Sequence, residues 1–84
     1  MSRSLYRIVP SLREELKAIV TKELNKKGIY SKYRLDTVWG HLLDVSREEL
    51  NNDDDIYAWV STETRNFIFE AWGPNGRINP LFED

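Results

Sequence analysis

The stretch "IYAWVSTETRNFIFEAWG", Ile56–Gly73, decides whether this chain continues into a hairpin or into a helix. In "IYAWVS", small and apolar residues alternate with aromatic ones, and a period of two is typical of a strand. "NFIFEAW" places Phe67, Phe69 and Ala71 on one face of a second strand, and the polar "TETR" between them suits a loop. The β-branched and aromatic content favours strands, so we predict a β-hairpin or short meander over residues 56–82.

A helix is the competing interpretation of the same residues. Four apolar residues also fit one helical stripe, and the glycine-proline pair at Gly73 would stop a helix over Thr62–Trp72. These four residues are Phe67, Ile68, Ala71 and Trp72. Downstream, "GPNG" (Gly73–Gly76) predicts a turn, and "RINPLF" predicts a third short strand at a sheet edge.

A long amphipathic helix is predicted upstream, from Ser11 to about Gly28. "SLRE" has the form of a capping box, with Ser11 as the N-cap and Glu14 reaching back to it. Gly28 is a natural stop for a helix. The apolar residues repeat at helical spacing, as Leu12, Leu16, Ile19, Val20 and Leu24.

Two further helices are predicted between this helix and the hairpin. One runs over about Lys32–Leu43, with Gly40 at a point of close backbone approach and His41 nearly opposite the apolar face. The other begins at Ser46, since "SREE" is a second capping box, and ends near Asn52. The carboxylates of Asp53–Asp55 are disfavoured at a helix C-terminus, so we predict that they form a turn.

The segment "VWGHLLDVSREEL", Val38–Leu50, resembles the helix-turn-helix family in its residue pattern. Gly40 stands at the small position, Asp44 at the turn and Val45 at the buried position after it. A hairpin after that helix resembles the wing of the winged-helix branch. The resemblance implies an α+β fold, with a three-helix core followed by a β-hairpin.

Length and composition indicate one domain spanning residues 1–84, divided into an extended arm (1–10), a helical core (11–52) and the β-region (56–82). Eighty-four residues suit a single domain with a small core. The chain has no cysteine, so disulfides and thiolate chemistry are excluded. No apolar run could span a bilayer, and no signal peptide is evident, so we predict a cytoplasmic protein.

The net charge of −2 hides an uneven distribution. Residues 1–34 carry nine Lys and Arg against three Glu, whereas residues 35–84 carry three Arg against eleven Asp and Glu. Such asymmetry indicates either a charged partner or self-association, and a homodimer is one interpretation of it. The alternative is a mixed surface on which folding interleaves the two signs.

We predict a non-enzymatic binding module, a small regulator or inhibitor whose acidic and aromatic surface binds a basic protein partner. A nucleic-acid enzyme would suit as that partner, because carboxylates compete with phosphate for a basic groove. Carboxylates steer a basic partner, and exposed Tyr and Trp are favoured interface anchors. The predicted partner-binding residues are Glu48, Asp53, Asp54, Asp55, Tyr57 and Trp59.

The alternative is a winged-helix DNA-binding transcriptional regulator that binds duplex DNA. Arg47, Asn51 and Asn52 could read base edges from the third predicted helix, and Arg65 could reach a phosphate from the wing. The acidic second half of the chain opposes this hypothesis, since affinity for DNA comes mostly from neutralising phosphates with Lys and Arg.

Enzymatic and cofactor-dependent functions are not predicted. His41 has no nucleophile pattern around it. "NNDDDIYAWVST" fails the calcium-loop template because Ile56 replaces the required glycine and Thr62 the bidentate glutamate. We therefore predict no catalytic residue, no metal site and no cofactor.

Overall fold

The protein is described by a computed structural model over residues 5–51 and 53–73, and these residues form three α-helices. Helix α1 spans Pro10–Lys26, α2 spans Lys32–Glu49 and α3 spans Ile56–Trp72. A short 3₁₀ turn, Leu5–Arg7, precedes them. The described residues contain no strand, so the fold is a small all-α domain and the predicted α+β class is wrong.

The predicted hairpin is replaced by α3, because residues 56–72 bury a stripe with helical spacing. The buried residues of α3 are Ile56, Val60, Thr64, Ile68, Ala71 and Trp72. A strand would have grouped Ala58 with Ile56 and Val60, but Ala58 is exposed. Alternation and helical spacing share Ile56 and Val60, which explains why that segment fits both patterns. The part of the predicted β-region at residues 74–82 lies outside the described residues.

Both ends of α3 have clear local causes. The Asp55 carboxylate accepts hydrogen bonds from the Tyr57 and Ala58 amides at 3.0 and 3.4 Å, which makes Asp55 the N-cap. Gly73 follows the helix with a φ of +78°, which favours glycine, and its amide donates to the Phe69 carbonyl. The cap and the glycine therefore delimit a helix that begins six residues before the competing prediction from Thr62.

Helix α2 begins at Lys32, as predicted, but continues through Asp44, so the expected turn and separate third helix are absent. Ser31 caps its start by accepting the Arg34 amide at 3.1 Å. Leu42, Ser46 and Leu50 are all buried at four-residue spacing, so uninterrupted helix keeps one face in the core. The helix-turn-helix order and winged-helix hairpin inferred for the fold are therefore corrected to one long helix followed by α3.

Ser46 was predicted as an N-cap and instead ties the beginning of the chain to α2. Its hydroxyl accepts the Leu5 amide at 3.1 Å and donates to the Leu43 carbonyl at 3.0 Å. Ser46 and Leu5 are both buried. Residues 5–7 form a 3₁₀ turn against α2, so this part of the predicted extended arm is compact.

Helix α1 is confirmed as a helix, although its start and one predicted contact differ. Its N-cap is Val9, with no side-chain hydrogen bond, and Pro10 occupies the first turn, where its missing N–H removes no helical bond. Ser11 is thus inside the helix. At Gly40 a Cβ atom would meet nothing within 4 Å, so the predicted close approach of another backbone does not occur.

The core lies between the three helices, with α3 packed against both α1 and α2. It buries two of the three tryptophans, Trp39 and Trp72. Lys17 lies over the Trp39 ring at 5.6 Å from its centroid, and Arg34 lies over Trp72 at the same distance. Two basic side chains therefore cover aromatic rings of the core, and Arg34 also donates to the Ile29 carbonyl at 2.8 Å.

We expect Asp55→Ala to destabilise the protein by about 1 kcal/mol, because the first turn of α3 loses its cap. Thermal unfolding followed by circular dichroism should show a Tm lower by about 4–8 °C, the usual shift for a domain of this size. Asp55→Asn is the matched control, since asparagine caps about as well as aspartate. Equal losses in both variants would contradict the capping role.

We expect Ser46→Ala to cost about 1–3 kcal/mol in the free energy of unfolding, because it leaves the buried Leu5 amide without its acceptor. Chemical denaturation gives the energy, and the Leu5 amide should exchange faster with solvent. Thr37→Ala is the control: the Thr37 hydroxyl also donates to a carbonyl of α2, at 2.9 Å, but it is exposed. Its removal should change stability by less than about 0.5 kcal/mol.

Candidate functional site

The predicted acidic turn, Asp53–Asp55, connects α2 to α3, and two of its carboxylates bind the local backbone. Asp55 caps α3, and Asp54 Oδ2 accepts the Asn51 amide at 2.8 Å. Asp53 is exposed. Asp54 and Asp55 therefore hold the geometry of the turn, and Asp55, like Asp53, remains exposed to solvent.

The other three predicted partner-binding residues differ in exposure. Tyr57 is 45 % exposed, and its hydroxyl donates to Glu15 Oε2 at 3.5 Å. Trp59 is half-buried and packs against the core, so it is partly structural. Glu48 is exposed near the end of α2. Tyr57 and Glu48 are thus the accessible members of this group.

The residues predicted to bind DNA do not lie on a separate third helix and a β-hairpin, because neither of these predicted elements forms in the described part of the chain. Arg47 lies over the Tyr6 ring, 4.8 Å from its centroid. Asn51 belongs to the connection after α2, whereas Arg65 lies in the middle of α3 beside the end of α1. Asn52 is outside the described residues. Arg47 and Arg65 therefore have different surroundings, and neither lies on a hairpin.

A groove between α2 and α3 brings together residues that the sequence predictions did not select. Its volume is about 360 Å³. Helix α2 supplies three of its residues and α3 supplies five. They are His41, Val45, Glu49, Glu63, Asn66, Phe67, Phe69 and Glu70. The groove thus combines three carboxylates with three aromatic rings, counting the imidazole of His41.

Two of these carboxylates interact, and the interaction changes the acidity of Glu63. Burial raises the pKa of Glu63, and the neighbouring Glu49 raises it further through a hydrogen bond and through like-charge repulsion. Asn66 acts in the opposite direction by hydrogen bonding, while Glu70 adds repulsion. A raised pKa means that the negative form of Glu63 is destabilised here. A cation bound in the groove would stabilise that negative form.

The aromatic wall of the groove has a defined geometry. The His41 ring stacks on Phe67, with centroids 4.4 Å apart and an angle of 30° between the planes. Phe67 in turn meets the buried Trp72 edge to face, at 5.8 Å. His41 was predicted to face solvent, but it is half-buried against this wall. Because Phe67 contacts the buried Trp72, the core holds the aromatic wall of the groove in place.

A second depression lies between α1 and α3, and its charge is of the opposite sign. Its volume is about 450 Å³. Its cations are Lys26, Lys27 and Arg65, and Lys26 Nζ lies 3.5 Å from Glu23. Asn66 and Phe69 line both depressions. Phe69 is 57 % exposed, so the ridge between the acidic and the basic side carries an apolar ring.

The groove residues were missed because they share a face only if residues 56–72 are helical. Glu63, Asn66 and Glu70 then stand at i, i+3 and i+7, one side of a helix. Under the strand interpretation, Glu63 lies in the hairpin loop and Glu70 points away from Phe67 and Phe69. The helical spacing of Phe67, Ile68, Ala71 and Trp72 was the signal that could have found the groove.

Comparisons with known proteins add no relative: no family model, curated protein or solved structure matches the chain. Within residues 5–51 and 53–73, no three His, Cys, Asp or Glu side chains are grouped so that they could hold a metal ion. None of the described helices is long and apolar enough to cross a membrane.

We expect Glu63→Gln to raise the free energy of unfolding at pH 7, because it removes a charge that burial and Glu49 both disfavour. The gain should stay below about 1 kcal/mol, since partly exposed charges are screened by solvent. A raised folded pKa means that wild-type stability increases as pH falls through it, and this increase is complete below the unfolded value near 4.5. The advantage of the variant should therefore shrink as pH falls.

Urea denaturation at several pH values between pH 4 and pH 8 measures this difference. Glu48→Gln removes the same charge from an exposed site on α2 and controls for the change in net charge. A Glu63→Gln protein that is less stable than wild type at pH 7 would contradict the repulsion between Glu63 and Glu49.

Proposed function

We propose that this chain is a non-enzymatic binding module whose acidic groove between α2 and α3 accepts an Arg or Lys side chain from a basic segment of a protein partner. The observation that carries the proposal is the convergence of Glu49, Glu63 and Glu70 on one groove. Carboxylates that repel one another are unfavourable without a cation, and a guanidinium or ammonium group supplies the missing positive charge.

The aromatic residues of the groove support the same ligand chemistry. A cation gains further stabilisation over an aromatic face, by about 0.5–1 kcal/mol at an exposed site and more where water is excluded. Phe67 is held by Trp72 and stacks with His41, whereas Phe69 is exposed at the rim. An Arg side chain could place its plane along such rings while its N–H groups reach the carboxylates.

Exposed carboxylates outside the groove extend the acidic surface. Glu48 and Asp53 are both exposed around the end of α2 and the turn that follows it. Such charges act mainly on the rate of association, by steering a basic partner at low salt. A regulator or inhibitor that occupies the phosphate-binding surface of a nucleic-acid enzyme is the role that this charge distribution supports best.

The test is titration with an oligo-arginine peptide, followed by calorimetry at low salt. A citrulline peptide of equal length keeps the hydrogen-bonding shape without the charge and should bind at least about tenfold more weakly, a difference of about 1.4 kcal/mol. The groove variant Glu63→Gln/Glu70→Gln should lose a similar factor. The matched control Glu48→Gln/Asp53→Asn removes two charges outside the groove and should change the affinity by less than about threefold.

Equal affinity of the groove variant and the wild type would refute the proposal. Partner capture from host extract with the same two double variants then tests whether a natural partner uses the groove. Capture that depends on Glu63 and Glu70, but not on Glu48 and Asp53, is the expected result.

Duplex DNA binding is the second candidate, and the depression that holds Lys26, Lys27 and Arg65 is the observation that favours it. The three cations could contact phosphates of the duplex backbone. A gel shift with random duplex in 50 mM salt tests this candidate. Retardation that is lost in Lys27→Glu/Arg65→Glu would support it, and no retardation would remove it.

A further inference from the structure

The outward side of α3 has the charge arrangement of a self-complementary surface. At about 100° per residue, Glu63 and Arg65 fall about 160° apart on the helix, on opposite flanks of a ridge formed by Thr62, Asn66 and Phe69. The acidic groove lies on the α2 flank and the basic depression on the α1 flank. Both depressions include Asn66 and Phe69, so they lie at the same level along α3.

Two-fold symmetry can bring these opposite charges together in only one orientation. In a symmetric pair of surfaces that face each other, the two-fold axis lies within the interface. If the axis runs along α3, the basic flank of one copy faces the acidic flank of the other, twice. If the axis runs across α3, the acidic flank of one copy faces the acidic flank of the other, and the basic flanks also face each other, so like charges meet. The charges therefore favour an axis along α3, with the two α3 helices parallel.

We propose that a second copy of this chain docks on the α3 ridge as a parallel two-fold dimer, with Lys26, Lys27 and Arg65 of each copy facing Glu49, Glu63 and Glu70 of the other. The exposed Phe69 rings are covered at the centre, where burial removes apolar surface from water. The pairing of opposite charges on both flanks selects this orientation, as charge complementarity does in other interfaces.

The dimer interface and the proposed function use the same acidic groove. The dimer proposal rests on the proposed function in that respect alone. In the dimer the groove is occupied by cations of the same chain, so dimerisation and capture of a basic partner exclude each other. A partner would therefore compete with self-association, and the free groove would become more abundant as the protein is diluted.

Sedimentation equilibrium over a range of protein concentrations is the first test. We expect a monomer–dimer equilibrium whose dissociation constant rises at least about tenfold between 0.1 and 1 M salt, because the Debye length falls from about 10 Å to about 3 Å. Phe69→Ser should weaken the dimer at all salt concentrations. A chain that remains monomeric at low salt and millimolar concentration would overturn the proposal.

Charge reversal tests the pairing of flanks. Lys27→Glu/Arg65→Glu makes both flanks acidic, and Glu63→Lys/Glu70→Lys makes both flanks basic. Each variant alone should be monomeric, whereas an equimolar mixture should form a heterodimer that matches or exceeds the wild-type affinity. Circular dichroism verifies that both variants fold. A folded pair that does not associate on mixing would contradict the charge pairing.

Single cysteines test the direction of the helices, and the absence of native cysteine makes them unambiguous. In a parallel dimer with its axis along α3, each ridge residue faces its own copy, so Thr62→Cys and Asn66→Cys should both form disulfides under mild oxidation. In an antiparallel dimer centred on Asn66, the two copies of residue 62 would be displaced along the helix by about 12 Å. A disulfide needs Cα atoms within about 7 Å, so crosslinking at only one of the two positions would contradict the parallel arrangement.

These results separate the two proposals. Oligo-arginine binding by a monomer that never dimerises would refute the dimer and leave the proposed function intact. A salt-sensitive dimer that shows the heterodimer rescue, in a chain whose monomer does not bind oligo-arginine, would support the dimer and refute the proposed function. Displacement of the dimer by oligo-arginine is expected when both are correct.

Discussion

The fold is held together by the burial of one apolar face of α3, which includes Val60, Ile68 and Trp72. A chain of this length has a small core and a narrow margin of stability. Trp72 is only 1 % exposed, and it belongs with Ile68 and Val60 to the core that α3 forms with α1 and α2. Ala71 and Trp72 are adjacent and both buried, which a helix allows, whereas a strand would point them to opposite faces. The preference of the local sequence for strands is therefore overridden by the packing that a helix permits.

The buried face of α3 also decides which residues remain outside. Because Val60, Thr64 and Ile68 point inward, Asn66 and Phe69 must form a ridge, with the acidic groove on one flank and the basic depression on the other. The charge asymmetry of the sequence therefore becomes a spatial division. Lys26 and Lys27 come from the basic first half of the chain, and the groove carboxylates come from the acidic second half. The proposed binding of a basic partner and the proposed dimer both derive from this single arrangement.

The sequence predicts a helix correctly where a segment has one strong apolar periodicity and a clear residue that ends the helix. Leu16, Val20 and Leu24 repeat at helical spacing before Gly28, and α1 was predicted correctly as a helix. The prediction was wrong where one local sequence pattern is compatible with two structural roles. "SREE" has the form of a capping box, but Ser46 is buried and bonds to Leu5, forty-one residues earlier in the chain. A hydroxyl that can cap a helix can equally satisfy a distant amide, and no local pattern distinguishes these roles.

The residues of the candidate site also differ in how far the sequence predicts their surroundings. The exposure of Tyr57 and Glu48 could be predicted, since a small core cannot bury every aromatic residue and carboxylates stay in water. The groove could not, because Glu49 and Glu63 belong to different helices and their proximity depends on how α2 packs against α3. His41 is a similar case, since its projection on α2 alone placed it in solvent, whereas Phe67 on α3 covers one face of its ring.

Sequence alone is enough to predict the long helix α1, the start of α2, the acidic turn before Ile56 and the separation of charge between the two halves. These features follow from spacing, caps and composition within a few turns of chain. Three other features become evident only when the helices are packed together: residues 56–72 are helical, α2 runs unbroken past Asp44, and three carboxylates share one groove. Those outcomes depend on which faces exclude water together, and that is a property of the packed helices rather than of any one segment.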